Sequence, residues 1–214
     1  MKIALVKETK TPEDNRVALS PKQVAELNKR FPRHSIVVQS SDIRAFSDEE
    51  YRAEGVEVVE DVSDCDVLFG IKEVNIDCLL PNKQYFFFGH FAKMQEYNRP
   101  LMLALMQKKI TFCDYEYLVD DNNVRVCAFG WWAGVVGVYY TLRGCGLKHK
   151  LFELPKSDRR YTLDQLLESL NSIQLPQVRL LVTGAGRVSQ GAKYVLEKIS
   201  AHKMTEEEYL CMSP

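Results

Sequence analysis

Short runs of β-branched and aliphatic residues alternate along this chain with polar stretches that open like helices. That alternation constrains the fold more tightly than any other feature. Residues 2–7, 35–39, 56–59, 67–71, 85–89 and 110–114 are largely apolar runs of four to six residues, the length of a buried strand. Between them, Ser20 and Pro21 place an N-cap hydroxyl ahead of a proline suited to the first helical position, with Val24, Leu27 and Phe31 on one face. Ser47 is followed three residues on by Glu50, a capping-box pair, and the helix it opens ends near Gly55. A third helix is expected over 99–108. Strands alternating with helices at this pitch fold as a parallel sheet covered on both faces, so the class is α/β.

From residue 128 the pattern changes. AFGWWAGVVGVYYTLRGCG (128–146) is small, apolar and too long for a strand. It predicts a buried helix in which Gly134 and Gly137 let a neighbour approach closely. A polar connector over 148–160 leads to an amphipathic helix over 162–173, ended by Pro176. Residues 178–183 then predict a buried strand running into GAGRVSQG and a helix over 188–200. The division expected is a substrate and catalytic α/β domain at 1–128, a buried helix and connector at 129–177, and the start of a dinucleotide-binding domain at 178–214.

A glycine-rich turn between a strand and a helix is the setting in which a dinucleotide's pyrophosphate is held. Gly184 supplies the tight turn, and Gly186 leaves bare backbone so that phosphate oxygens can reach amides at the helix N-terminus. Ser189 stands where the third glycine usually falls, and Gly191 follows two residues later. With Arg187, these residues are the candidate contacts for NAD or NADP. The same turn also serves simply to pack a helix on a strand. An acid about 20 positions on would hold the ribose. Glu206 lies 22 residues past Gly184, inside a Glu206-Glu207-Glu208 run that reads equally as a solvated helix start. From Val178 to Pro214 there are 37 residues, whereas one βαβ unit takes about 30 and a doubly wound domain needs several. The expectation is therefore a truncated dinucleotide domain, either completed by something else or belonging to a longer polypeptide.

Lys plus Arg number 28 against 29 Asp plus Glu, a net charge of −1. That balance removes the basic footprint of a protein whose main partner is nucleic acid or an anionic membrane. No apolar run reaches the ~20 residues of a membrane span, and MKIALVKETK resembles neither a secretory leader nor an import peptide. A cytoplasmic location is expected. The 6 cysteines and 4 histidines are scattered without any Cys-x-x-Cys or His-x-x-x-His pair, so neither a disulfide framework nor a metal site is expected.

Ligands of parallel sheets bind outside the carboxyl ends of the strands. Lys72 ends the run 67–71 and His90 ends the run 85–89, which places both at that rim. Partial burial lets a lysine act as a base and histidine titrates near neutrality, so the two form a candidate acid–base pair. Position alone favours reading Lys72 as an exposed strand-end lysine and leaves His90 as readily a core histidine bonded to backbone. Arg16 follows the first strand, where its fork could clamp a substrate carboxylate or lie on the surface. Lys93 could add a second positive group.

KETKTPEDNRVALSPKQVAEL, GIKEV, FFFGHFAKMQEYNRPLM, ITFCDYEYLVDD and RVCAFGWWAGVVG together resemble the lysine-forming saccharopine dehydrogenases. The likeness is strongest to the lysine–ketoglutarate reductase portion of the bifunctional aminoadipate-semialdehyde synthases. GAGRVSQGAKYVLEKI resembles the nucleotide loop of that branch, and the opening KE…RVALSP block is shared more distantly with alanine dehydrogenase and the transhydrogenase N-terminal domain. The resemblance implies two Rossmann-like parallel-sheet domains flanking a cleft, the second incomplete here. It also implies an NAD(P)-linked interconversion of saccharopine with lysine and 2-oxoglutarate through an imine. It gives Lys72 the proton of the secondary amine and His90 the activation of the attacking water, with Arg16 orienting a substrate carboxylate.

An alanine dehydrogenase-like activity on a smaller amino acid is the alternative enzyme reading, and a truncated, catalytically silent binding domain is the other. An incomplete sheet edge would favour self-association, so a homo-oligomer is a further expectation.

Overall fold

The computed structural model describes residues 1–158, 160–199 and 201–211. Ser200, the expected end of the helix after the glycine turn, lies outside them, as do Arg159 and residues 212–214. The chain divides into two compact units, Met1–Ala128 and Phe129–Pro214.

Unit 1 holds six strands: β1 (Lys2–Leu5), β2 (Ser35–Gln39), β3 (Val58–Val59), β4 (Val67–Phe69), β5 (Gln84–Phe87) and β6 (Thr111–Asp114). All pair in parallel in the order β3-β2-β1-β4-β5-β6. This is the order of a doubly wound, Rossmann-like sheet, in which the winding reverses between β1 and β4.

The register explains why both faces are covered. Ala4, Val37, Leu68 and Tyr85 lie side by side across four strands and point into one core with Phe87. The next row, Leu5, Val38 and Phe69, points into the other. Helix α3 (Arg99–Gln107) covers the first face with Leu101, Ala104 and Leu105. Helices α1 (Pro21–Arg30) and α2 (Asp48–Ala53) cover the second with Val24 and Tyr51. Alternating residues of one strand thus serve two cores, as strand periodicity requires.

The expected caps form. Ser47 N donates to Glu50 Oε2 at 2.7 Å and Glu50 N donates to Ser47 Oγ at 3.2 Å. Gly55 follows α2 at φ +75, the left-handed exit that favours glycine. Each strand expected within unit 1 exists, but several are shorter. The run 67–71 stops at Phe69 because the amides of Ile71 and Lys72 bond to the Glu8 carboxylate instead of to a neighbouring strand.

Unit 2 contains α4 (Gly130–His149), α5 (Leu163–Glu168), α6 (Arg187–Leu196) and α7 (Glu206–Cys211), with no strand among the described residues. Val135, Tyr139, Leu142, Leu154 and Val195 form its core, so residues from 129–177 and from 178–214 share one interior. A Cβ on Gly134 would lie 2.0 Å from the Val188 carbonyl oxygen, and one on Gly191 2.0 Å from that of Trp131. The α4–α6 crossing therefore demands glycine on both helices. Gly137 has no such role, since nothing lies within 4 Å of its Cβ position.

Two expectations are corrected here. Helix α4 is buried on one face only, with Trp132 50% exposed. Residues 178–183 form no strand, and Leu181 is 67% exposed. A parallel strand draws its hydrogen bonds entirely from neighbours, and unit 2 offers none among the described residues. No helix of the described residues is long and apolar enough to cross a membrane.

Candidate active site

The segments leaving β1, β4 and β5 meet at the carboxyl edge of the unit 1 sheet, where the winding reverses and doubly wound folds bind ligands. One carboxylate ties all three together. Glu73, 8% exposed, accepts from Lys10 Nζ through Oε2 at 2.6 Å and faces His90 Nδ1 through Oε1 at 2.8 Å. Lys10 follows β1, Glu73 follows β4 and His90 follows β5. Burial pushes the Glu73 carboxyl upward, but the bonds from Lys10, from backbone and from His90 together outweigh it and hold the group below its ordinary value. An ionised Glu73 only accepts hydrogen bonds. A neutral His90 must then carry its proton on Nδ1, which leaves Nε2 unprotonated.

Glu8 works on the neighbouring position. Its two oxygens accept from Ile71 N at 2.7 Å and Lys72 N at 2.9 Å, fixing the turn that carries Lys72. Burial raises this carboxyl above its usual range, against the two amide bonds that favour the charged form. Lys72 is partly buried, and its charge contributes to holding Asp14 ionised.

Arg16 grips a carboxylate in the expected two-pronged manner, but the carboxylate is that of Asp14. Nε donates to Oδ1 at 2.8 Å and Nη2 pairs with Oδ2. These bonds lower Asp14 and raise Arg16 from their ordinary values. Lys93 sits in a short 3-10 turn directly after His90 and is exposed.

The structure thus brings Arg16, Lys72 and His90 to one rim of unit 1. It adds Glu8, Lys10, Asp14 and Glu73, which the residue-type reading passed over. The signal was present, because each acid lies within two residues of a flagged cation or inside KETK and GIKEV, and cations at a half-buried rim need counter-charges.

In unit 2, Gly184 has φ +82 and Gly186 caps α6 in extended conformation. No heavy atom lies within 4 Å of a Cβ position on either, and both are exposed. No side chain caps α6, and Gln190 N bonds to Gly186 O. The amides of Arg187, Val188 and Ser189 are the ones a helix N-terminus offers to an anion. Ser189 is buried, with Oγ donating to Gly186 O at 3.2 Å. Gly191 is turned into the α4 crossing rather than toward the glycine turn, so its placement serves helix packing.

Comparison with known proteins agrees with this architecture. The family "Alanine dehydrogenase/PNT, N-terminal domain" matches residues 4–136. An alpha-aminoadipic semialdehyde synthase of Arabidopsis thaliana is 31% identical over 97% of this chain and 22% of its own length. A saccharopine dehydrogenase [NAD(+), L-lysine-forming] of Yarrowia lipolytica is 31% identical over 64% of this chain and 38% of its own. The chain therefore spans well under half of either relative. An L-alanine dehydrogenase structure, 21% identical, superposes with TM-score 0.66 over 92% of this chain and 52% of that one, a shared fold. On the match across most of unit 1 and into α4, the chain belongs to the alanine dehydrogenase/PNT N-terminal domain family.

Proposed function

We propose that this chain carries the substrate-binding part and the first nucleotide-binding element of an NAD(P)-dependent oxidoreductase that interconverts saccharopine with lysine and 2-oxoglutarate. The names of the two relatives support the substrate class. The observation that carries the reading is the Glu73 carboxylate joining Lys10 to His90 beside Lys72 at the switch point of the sheet.

The residues of the glycine turn suit a dinucleotide. Gly184 and Gly186 leave an open cradle that a Cβ would narrow, and Arg187 stands at the first position of α6, whose N-terminal amides suit an anion. A bound nicotinamide would supply the hydride acceptor. In this reading the cofactor is NAD or NADP.

In the oxidative direction, Lys72 takes the proton of the secondary amine. His90, oriented by Glu73 at Nδ1, takes at Nε2 of its neutral form a proton from the water that adds to the imine carbon. The adduct then collapses by C–N cleavage to lysine and 2-oxoglutarate. Arg16 exchanges Asp14 for a substrate carboxylate, a swap of like for like that keeps its fork paired. Lys93 adds positive charge at the rim. The partners are accordingly small, multiply carboxylated substrates, with self-association through the open sheet edges β3 and β6 as the corresponding proposal for assembly.

The test is NADH or NADPH oxidation by the chain with lysine plus 2-oxoglutarate, against ammonia plus pyruvate. Turnover with the first pair alone is the expected result, and turnover with the second alone would replace this reading by an alanine dehydrogenase-like one. A silent binding domain is the competing reading, favoured by the absence of a strand at 178–183. Saccharopine binding without turnover would decide for it.

A further inference from the structure

His90 is held in a backbone conformation uncommon for a residue with a Cβ. Its backbone lies at φ 54 and ψ 27, in the left-handed region that disfavours side chains with a Cβ. Such residues persist where neighbours over-determine them. Two neighbours do so here. Asn98, only 4% exposed, donates its side-chain amide to the carbonyl oxygens of Gly89 at 3.1 Å and His90 at 3.4 Å. A Cβ on Gly89 would lie 2.5 Å from the Phe91 ring, so that position admits only glycine.

Asn98 is well placed for this work. It directly precedes α3, whose Leu101, Ala104 and Leu105 are fixed in the core, so its amide is mounted on a rigid element rather than on the loop it controls. We propose that Asn98 is the positioning residue for His90, holding the left-handed turn that presents Nδ1 to Glu73 and thereby sets which ring nitrogen is free. The importance of that nitrogen rests on the reaction proposed above; the clamp itself does not.

The experiment reads the ring and not the reaction. In the full 214-residue chain, 15N NMR of the His90 imidazole should show one dominant tautomer with the proton on Nδ1. Asn98→Asp keeps the side-chain volume but replaces both donors by oxygen against two carbonyls. The His90 signals should then move to the averaged positions of a free imidazole, while the amide spectrum of β1, β2 and β4 stays in place. An unchanged His90 ring in folded Asn98→Asp would overturn the proposal.

If Asn98→Asp does not fold, the double variant Asn98→Asp with His90→Gly tests the same claim. Glycine adopts the left-handed backbone without a clamp, so folding should return. A double variant that also stays unfolded makes Asn98 merely a core residue and overturns the proposal. Failure of the functional reading looks different. There the tautomer signature and its loss in Asn98→Asp persist, but no substrate moves the His90 signals.

Discussion

The carboxyl edge of unit 1 and the glycine turn of unit 2 are both candidate binding elements, yet they are built in opposite ways. At the first, charged side chains from three strand ends are already paired with one another: Glu73 with Lys10 and His90, Asp14 with Arg16, Glu8 with two amides. At the second, the binding element is backbone alone, open on the outside and rigid only where α6 meets α4. The difference teaches that unit 1 presents preorganised chemistry, whereas unit 2 presents a surface whose only fixed requirement is space. Substitutions should therefore damage the first through lost partners and the second through lost room.

The largest effect expected is at the helix crossing. Gly191→Val puts side-chain atoms where the Trp131 carbonyl already lies, and overpacking of this kind costs about 3 kcal/mol. Urea denaturation should show that loss in unit 2, while the amide spectrum around residues 71–73 and 90 is kept. A variant as stable as the parent would mean the crossing is looser than described.

Glu73→Gln comes next, at about 1 kcal/mol near neutral pH, because it takes the charged acceptor away from two half-buried donors, Lys10 and His90. The two acids of the site should also titrate with opposite slopes. Glu73 is lowered from an ordinary 4.5, so its stabilisation is present above that pH and is lost as pH falls through its lower folded value. Glu8 is raised, so its contribution declines as pH rises above the ordinary value. The stability difference between parent and Glu73→Gln should shrink on acidification below about pH 4.5. A difference that stays constant down to pH 2 would contradict the Glu73 assignment.

Gly186→Ala separates space from stability. Nothing lies within 4 Å of the new methyl, so unfolding free energy should change by less than ~0.5 kcal/mol. NADH affinity, measured by fluorescence titration, should nonetheless fall about tenfold if a pyrophosphate needs that backbone bare. Equal affinity would remove the turn from the cofactor site. The smallest effect belongs to Lys93→Ala, an exposed residue: no measurable change in stability and about a twofold loss of saccharopine affinity by calorimetry.

Much of unit 1 is legible in the residues themselves, because its strands and helices are written in local periodicity. Residues 35–39 form β2 with the expected bounds, and Ser20 and Ser47 cap the helices expected of them. What escapes is whatever a distant partner decides. The 67–71 run ends early because Glu8, 63 positions away from Ile71, claims its amide. Residues 178–183 have strand composition but no strand, because pairing and not composition makes a strand. Gly191 fits a nucleotide pattern equally as it fits a helix crossing, and only the crossing partner Trp131 distinguishes the two. At the site, Lys72, His90 and Arg16 are readable from strand-end position. That acids accompany them is readable as well, since Asp14 lies two residues before Arg16 and Glu73 next to Lys72, but which partners Glu8, Glu73 and Asn98 take is not, because those bonds are made across the fold.

The central claim is that the rim carrying Arg16, Lys72, Glu73 and His90 binds the substrate. Titration of the 15N-labelled chain with saccharopine tests it most directly. Saturable shifts should appear at residues 8–16, 71–73 and 89–93 and be abolished in Lys72→Met. Shifts confined to residues 129–211, or none at saturating ligand, would contradict it.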